Sequence, residues 1–259
     1  SPFGTQSHGY ESNNSFLLYA FGERLFIRSG KRDYYGSPHH QQWMWQTRST
    51  NCIAVNGQGQ RTHSAAAQGR ILAFHTSADF DYVAGEAGSA YPENVEQFTR
   101  RILFAKPDTL LIVDTLQAET PSTFQWYLHA PTKMALAETN QLSVQNGKAA
   151  CQVHFLWPPH LQFSQTDQFD PPPSKGELGE YHLTAETRTP AKEQTFITVL
   201  FPHRAEDEIA PQVQVNKTET GFELTSTMNG RTLHTAFDGE SLSSTLRNEE
   251  GQVFAQFAE

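Results

Sequence analysis

The sequence predicts an all-β protein, a large antiparallel sandwich of two sheets. Three observations predict it. Apolar residues recur with period two along much of the chain, turn dipeptides interrupt the runs at short intervals, and no window of helical length carries an apolar stripe. Many short strands divided by polar turns close on one another as a sandwich, with a small barrel as the alternative.

Taken in chain order, Leu110-Leu111-Ile112-Val113 is apolar on both sides and reads as a strand covered on two faces. Phe124, Trp126 and Leu128 alternate with Gln125, Tyr127 and His129, the pattern of a half-buried strand. Cys151, Val153, Phe155 and Trp157 alternate with Gln152 and His154 in the same way. Phe196-Ile197-Thr198-Val199-Leu200 is a second doubly covered run, and Phe222 with Leu224 and Val253 with Ala255 return to alternation. Asn56-Gly57, Asn146-Gly147, Asn229-Gly230 and Asp238-Gly239 mark tight reversals, because Asn, Asp and Gly tolerate the left-handed backbone that short hairpin turns require. The proline-rich stretch from Pro158 to Gly179 is expected to be a long connection between two groups of strands. A single domain over residues 1–259 is expected, with a weak boundary near that connection.

With 37% hydrophobic and 12% aromatic residues, the 259-residue chain can build a sizeable core. Its net charge of −9 argues against nucleic-acid binding, which needs a positive footprint. No apolar stretch approaches the ~20 residues of a membrane helix, so no membrane partner is expected. Charge is unevenly spread. Residues 1–62 hold Arg24, Arg28, Lys31, Arg32, Arg48 and Arg61 against Glu11, Glu23 and Asp33, a local excess of cations that points to an anion site or to a solvated basic edge. Cys52 and Cys151 lie in apolar runs and read as buried thiols rather than a disulfide. The chain starts at Ser1, shows no signal peptide, and reads as part of something longer.

Candidate chemistry concentrates in residues 7–60. Ser7-His8-Gly9-Tyr10-Glu11 and Asn13 are followed by Arg28, then Tyr34-Tyr35-Gly36-Ser37-Pro38-His39-His40, then Trp43, Trp45 and Arg48. Aromatic faces stack on sugar rings, while Arg, Lys and His hold carboxylates. Core packing is the bland reading of each aromatic alone; their coincidence is harder to explain that way. His63, His75, His129, His154, His160, His203 and His234 are scattered and read as structural or surface residues.

This segment resembles the heparinase II/III-like polysaccharide lyases. The resemblance rests on Ser7-His8-Gly9, Asn14-Ser15-Phe16, Phe16 to Ala20 with Gly22-Glu23, Ser29-Gly30, Tyr34 to His40, Arg48, Asn51 and Val55 to Gln60. Weaker echoes follow at Asp81 to Glu86, Arg100-Arg101, Val113-Asp114 and Trp126 to His129. The resemblance implies the C-terminal β-sandwich of a two-part enzyme. An N-terminal helical toroid of the same protein is the expected partner, supplying an Asn or His and a Tyr to the cleft. It implies β-elimination on a uronate polysaccharide in an extracytoplasmic, periplasmic or secreted, setting. His8 and Tyr35 are the implied catalytic residues, with the register between Tyr34 and Tyr35 open by one. Tyr10, Glu11, Asn13, Arg28, Tyr34, His39, His40, Trp45 and Arg48 are candidate substrate contacts.

The family's zinc ligands would fall on three positions that here hold Tyr10, Arg28 and Thr50, none of them a ready zinc ligand, so no metal or other cofactor is expected. An Arg28–Glu11 ion pair is the expected replacement; the other placement has Arg28 in the cleft on the substrate carboxylate. A binding or accessory module without activity of its own is the alternative function, and a purely structural sandwich the third.

Overall fold

The computed structural model describes residues 9–92, 94–137, 140–176 and 179–259. His8, the implied catalytic histidine, lies outside the described residues. The chain opens with a short hairpin, β1 (Leu18–Ala20) and β2 (Glu23–Phe26), then reaches β3 (Ile53–Val55) through a segment that holds two short helical turns, His40–Met44 and Thr47–Ser49. A meander follows: β4 (Arg70–Thr76), β5 (Phe80–Glu86), β6 (Val95–Ala105), β7 (Thr109–Ser122) and β8 (Phe124–Ala130). The middle of the chain supplies β9 (Ala135–Ala137), β10 (Gln141–Asn146), β11 (Ala149–Trp157), β12 (Leu161–Thr166), β13 (Tyr181–Thr187) and β14 (Ala191–Arg204). A last meander comprises β15 (Gln212–Lys217), β16 (Phe222–Met228), β17 (Arg231–Phe237), β18 (Leu242–Arg247) and β19 (Val253–Ala258).

All the strand pairs are antiparallel. An eight-stranded sheet, ordered β4-β5-β6-β7-β14-β11-β10-β9, forms the middle of the molecule. One of its faces packs on the four-stranded sheet β12-β13-β8-β3 and on the β1-β2 hairpin, burying Phe98, Ile112, Phe155, Phe196, Trp126 and Leu183 in one cluster. The other face packs on the five-stranded sheet β15-β16-β17-β18-β19, burying Leu111, Val113, Ile197, Val199, Phe222 and Leu233 in a second cluster. The expected antiparallel sandwich is present, and its large sheet carries a partner on each face instead of one. The two continuous apolar runs account for this. Ile112 and Phe196 point into the first cluster while Leu111, Val113, Ile197 and Val199 point into the second, so β7 and β14 need cover on both sides.

Two local expectations meet the structure differently. Asn229 and Gly230 both take left-handed backbone (φ 50 and 72) in the two-residue reversal from β16 to β17, which matches the right-handed twist of the hairpin. The stretch 158–179, expected as one long connection, contains β12, which pairs with β13 from Leu161↔Thr187 to Thr166↔His182. Its prolines fall outside that strand, where no ladder hydrogen bond is lost. Cys52 and Cys151 are buried free thiols.

Candidate active site

The four-stranded sheet sends alternate residues to opposite faces. Phe124, Trp126, Leu128 and Ala130 of β8 enter the core, so Gln125, Tyr127 and His129 stand on the outer face. Leu183 and Ala185 of β13 do the same, which leaves His182, Thr184 and Glu186 outside. The segment 27–51 is laid across one end of this outer face. Ile27 N–H donates to the His129 carbonyl (3.0 Å), Ser29 N–H to the Ser49 carbonyl (2.8 Å), and His129 N–H to Asn51 Oδ1 (2.8 Å). A second loop closes over the same end: Phe169 lies edge-on to His39 (5.2 Å), Trp43 (5.2 Å) and His182 (4.7 Å).

Beneath that cover sits a buried histidine pair. His129 and His182 are register partners on β8 and β13, and their Nδ1 atoms are 3.1 Å apart. A contact between two ring nitrogens needs one proton, so one ring is the Nδ1–H tautomer and the other its acceptor. Burial holds both groups low, His129 to about 3, helped by the nearby His182, and His182 to about 4, where Asp167 pulls partly the other way and His39 adds to the lowering. Both are therefore neutral at pH 7. Ser29 links the pair to the loop, its hydroxyl lying 3.3 Å from His182 Nδ1, accepting from Trp43 Nε1 (3.2 Å) and donating to Glu180 Oε2 (3.1 Å). Glu180 Oε2 also accepts Gly30 N–H (2.7 Å).

The expected site residues divide into a surface group and an internal group. Tyr34 and Tyr35 are exposed (53% and 55%). Tyr35 rests against the His40 ring (5.2 Å) and the edge of Trp45 (6.5 Å), and His40 itself packs on Trp45 (4.8 Å). The loop bearing the two tyrosines is tied down by Asp33, whose Oδ2 accepts from both Ser174 N–H and Ser174 Oγ (2.7 Å each). Slight desolvation is outweighed by these bonds and those from Ser37 and Tyr34, so the Asp33 carboxyl is held well below the usual range. Arg48 is half-buried, donating to the Gln42 carbonyl through Nε (3.1 Å) and to the Asp170 carbonyl (2.7 Å), with its guanidinium 5.3 Å from the Trp43 ring.

Four candidate contacts turn inward. Asn13 is buried and clamped to Gln60: its N–H and Nδ2 donate to Gln60 Oε1 (3.0 and 3.1 Å), and Gln60 Nε2 donates to its carbonyl (2.9 Å). Glu11 is buried, accepting from Thr47 N–H (3.2 Å) and the Thr62 hydroxyl (2.5 Å), and desolvation raises its carboxyl. His39 is wholly buried with Nδ1 2.9 Å from the Pro171 carbonyl, and His40 accepts Gly36 N–H at Nδ1 (3.0 Å). These side chains support the surface group rather than join it. For Glu11, Asn13 and His39, period-two patterning and local composition do not reveal this, because their partners are 36 to 132 residues away. Conversely, His129, read as scattered, Ser29, quoted only within the resemblance, and His182 and Glu180, not singled out, all belong to the site's foundation. Only the pairing of β8 with β13 brings them together.

The expected Arg28–Glu11 ion pair does not form. The Arg28 guanidinium stacks 3.5 Å from the centroid of the Tyr10 ring and donates to the Met44 carbonyl, while Glu11 is engaged by Thr47 and Thr62. The separation follows from chain direction: Glu11 N–H is bonded to the Trp45 carbonyl (2.8 Å), which aims its side chain at the 47–62 turn instead. The three positions that correspond to zinc ligands do not fit a zinc ion. Tyr10 is covered by a cation, Arg28 brings positive charge, and the Thr50 hydroxyl is spent on the Thr47 carbonyl (2.7 Å). Among the described residues no three His, Cys, Asp or Glu side chains converge as a metal site requires.

Comparison with known proteins agrees with this architecture. The fold is similar to that of heparan sulfate lyase HepC from Pedobacter heparinus, at a TM-score of 0.74 and 18% identity over 93% of this chain and 38% of that one. It is also similar to heparinase III, at a TM-score of 0.67 and 15% identity over 89% of this chain and 36% of that one. The chain thus spans well under half the length of either protein. A search of curated protein sequences finds no match. The family model described as heparinase II/III-like, C-terminal, matches residues 1–259, and the chain belongs to that family.

Proposed function

We propose that this chain is the C-terminal part of a lyase that cleaves a uronate polysaccharide by β-elimination outside the cytoplasm, with residues 1–259 acting as one β-sandwich unit. The observation that carries the reading is the exposed pair Tyr34 and Tyr35, with Tyr35 seated on the half-buried Trp45: aromatic rings for sugar faces, with Arg48, three residues on from Trp45, to supply a guanidinium for a carboxylate. In the reaction, the C–H bond next to the uronate carboxylate breaks and its proton passes to a base. The electron pair forms a carbon–carbon double bond, the glycosidic C–O bond breaks, and an acid protonates the departing oxygen. Cations beside the carboxylate stabilise the charge that builds on it. His8 is assigned to the proton-abstraction side and Tyr35 to the leaving oxygen, with Arg48 on the carboxylate. No step passes through a metal.

A non-catalytic glycan-binding module is the second reading, favoured by the engagement of Glu11, Asn13 and His39 in internal hydrogen bonds. One experiment separates the two. The complete protein and this chain are incubated with a panel of uronate polysaccharides, and the ultraviolet absorbance of the unsaturated product is followed. A rise with the complete protein that His8→Ala abolishes supports the lyase. Flat traces with retained binding in a polysaccharide affinity gel support the module.

A further inference from the structure

A polar cavity of about 360 Å³ opens between the turn at 57–60, the helical turn Thr47–Ser49 and the outer face of β8. Arg48, Arg61 and Tyr127 line it, with Gln46 and Gln58 at its margins. Two glycines explain why it is open. A Cβ on Gly59 would lie 2.6 Å from Thr47 Oγ1, so only glycine lets the turn press down there, and Gln60 N–H reaches that same oxygen (2.8 Å). Gly57, in the left-handed region (φ 73), has nothing within 4 Å of its Cβ position, so the other end of the turn stands clear.

Two guanidinium groups and a phenol stand in the lining. Arg61 Nε is buried with no hydrogen-bond partner among the described residues, a donor left for a bound acceptor. The one carboxylate in the lining, Glu11, has both oxygens engaged by Thr47 and Thr62. Arg48 donates through Nε and Nη2 to the Gln42 carbonyl and through Nη2 to the Asp170 carbonyl, three bonds that fix the guanidinium in place without neutralising it. The Tyr127 phenol, pushed up to about 12 mainly by burial, keeps its proton at neutral pH and offers an O–H.

We propose that this cavity is an anion subsite that takes a carboxylate or sulfate group of an acidic glycan, with Arg61 as its principal ligand and Arg48 and Tyr127 as flanking donors. The identity of the ligand rests on the polysaccharide reading above; the site itself rests on the lining.

The test is binding of short oligosaccharides to this chain, read by calorimetry and by the arginine Nε–H resonances. A carboxylate-only probe (hyaluronan oligosaccharide), a sulfate-only probe (sulfated dextran oligosaccharide) and neutral dextran separate the two anion chemistries. At least one charged probe is expected to bind saturably, to shift the Arg61 Nε–H signal and to weaken as salt rises, while neutral dextran leaves that signal unmoved. Arg61→Gln is expected to weaken it at least tenfold with an unchanged melting temperature, Arg61→Lys to fall between, and Arg204→Gln, at an exposed arginine on β14, to have no effect. Failure of both charged probes to bind, or unchanged affinity in Arg61→Gln, overturns the subsite. Flat lyase traces with Arg61-dependent binding would remove the functional reading and leave the subsite. Product release by the complete protein with a KM unmoved by Arg61→Gln would do the reverse.

Discussion

Arg100 on β6 and Asp114 on β7 are register partners whose side chains close a two-pronged ion pair inside the protein, Nε to Oδ1 at 2.6 Å and Nη2 to Oδ2 at 3.0 Å. The pair does more than join two strands. Arg100 Nη1 donates to the carbonyls of Asn14 and Asn51 (2.8 Å each), and Trp126 Nε1 donates to Asp114 Oδ2 (2.8 Å). The central sheet is thereby stapled to both ends of the segment that carries the candidate site. Removing one partner leaves an uncompensated buried charge. Asp114→Asn or Arg100→Met is therefore expected to cost about 3–5 kcal/mol in urea unfolding. The double replacement Arg100→Met with Asp114→Leu is expected to cost less than the sum of the singles, since neither charge is then stranded. Strict additivity would show that the two residues are not coupled.

The histidine pair under the site makes stability depend on pH in a defined direction. Burial lowers the folded-state values of His129 and His182 to about 3 and about 4, below the unfolded value near 6.5. Between those limits the unfolded chain binds more protons than the folded one, so stability is full above about pH 6.5 and falls as pH drops toward 4. The loss is up to about 1.4 kcal/mol per pH unit for each histidine. Melting curves from pH 7 to pH 4.5 should show this decline, and His182→Gln should flatten part of it. An equal slope in the variant would remove His182 as the cause.

Arg28 and Glu11 are expected to act independently. Arg28→Ala removes the stack on Tyr10 and the bond to Met44, at a cost of about 1–2 kcal/mol, and Glu11→Gln weakens the anchor at Thr47 and Thr62. A double-mutant cycle should return a coupling below about 0.5 kcal/mol. A larger value would revive the ion pair. Melting temperature should also be indifferent to a chelator, and stoichiometric zinc in the purified protein would contradict the reading of Tyr10, Arg28 and Thr50.

Tyr34 and Tyr35 differ in their seating, and activity should divide them. Tyr35 packs on His40 and Trp45, which fixes its ring, whereas Tyr34 is exposed and touches the loop through its backbone N–H to Asp33 (2.8 Å). In the complete protein, Tyr35→Phe is expected to lower kcat by about 10²-fold or more, the scale of a lost general acid. Tyr34→Phe should change KM more than kcat. The opposite division would move the acid to Tyr34.

The candidate site was legible only in its outline. The density of Tyr, Trp, His and Arg between residues 28 and 48 is a compositional fact, and it located the loop that carries Tyr34, Tyr35 and Arg48. It could not sort that loop into surface and support, because burial is decided by distant partners: Pro171 for His39, Gln60 for Asn13, Thr62 for Glu11. The Arg28–Glu11 expectation failed for the same reason. Nearness of the two in sequence says nothing about direction once Glu11 N–H is bonded to the Trp45 carbonyl.

By itself, the sequence determined the secondary structure class, the inward faces of β8 and β16, and the double burial of β7 and β14. Those follow from side-chain alternation along a pleated strand, a local property. On β11 the expected alternation ends at Phe155, where a bulge turns Trp157 toward the opposite cluster from Cys151, Val153 and Phe155, and His154, expected on an open face, is buried under the second layer. Only the tertiary structure decided which sheet covers which face, that His129 meets His182, and that Arg61 opens onto a cavity. Those depend on the register between strands far apart in the chain, where a shift of one residue would exchange every inner side chain for an outer one.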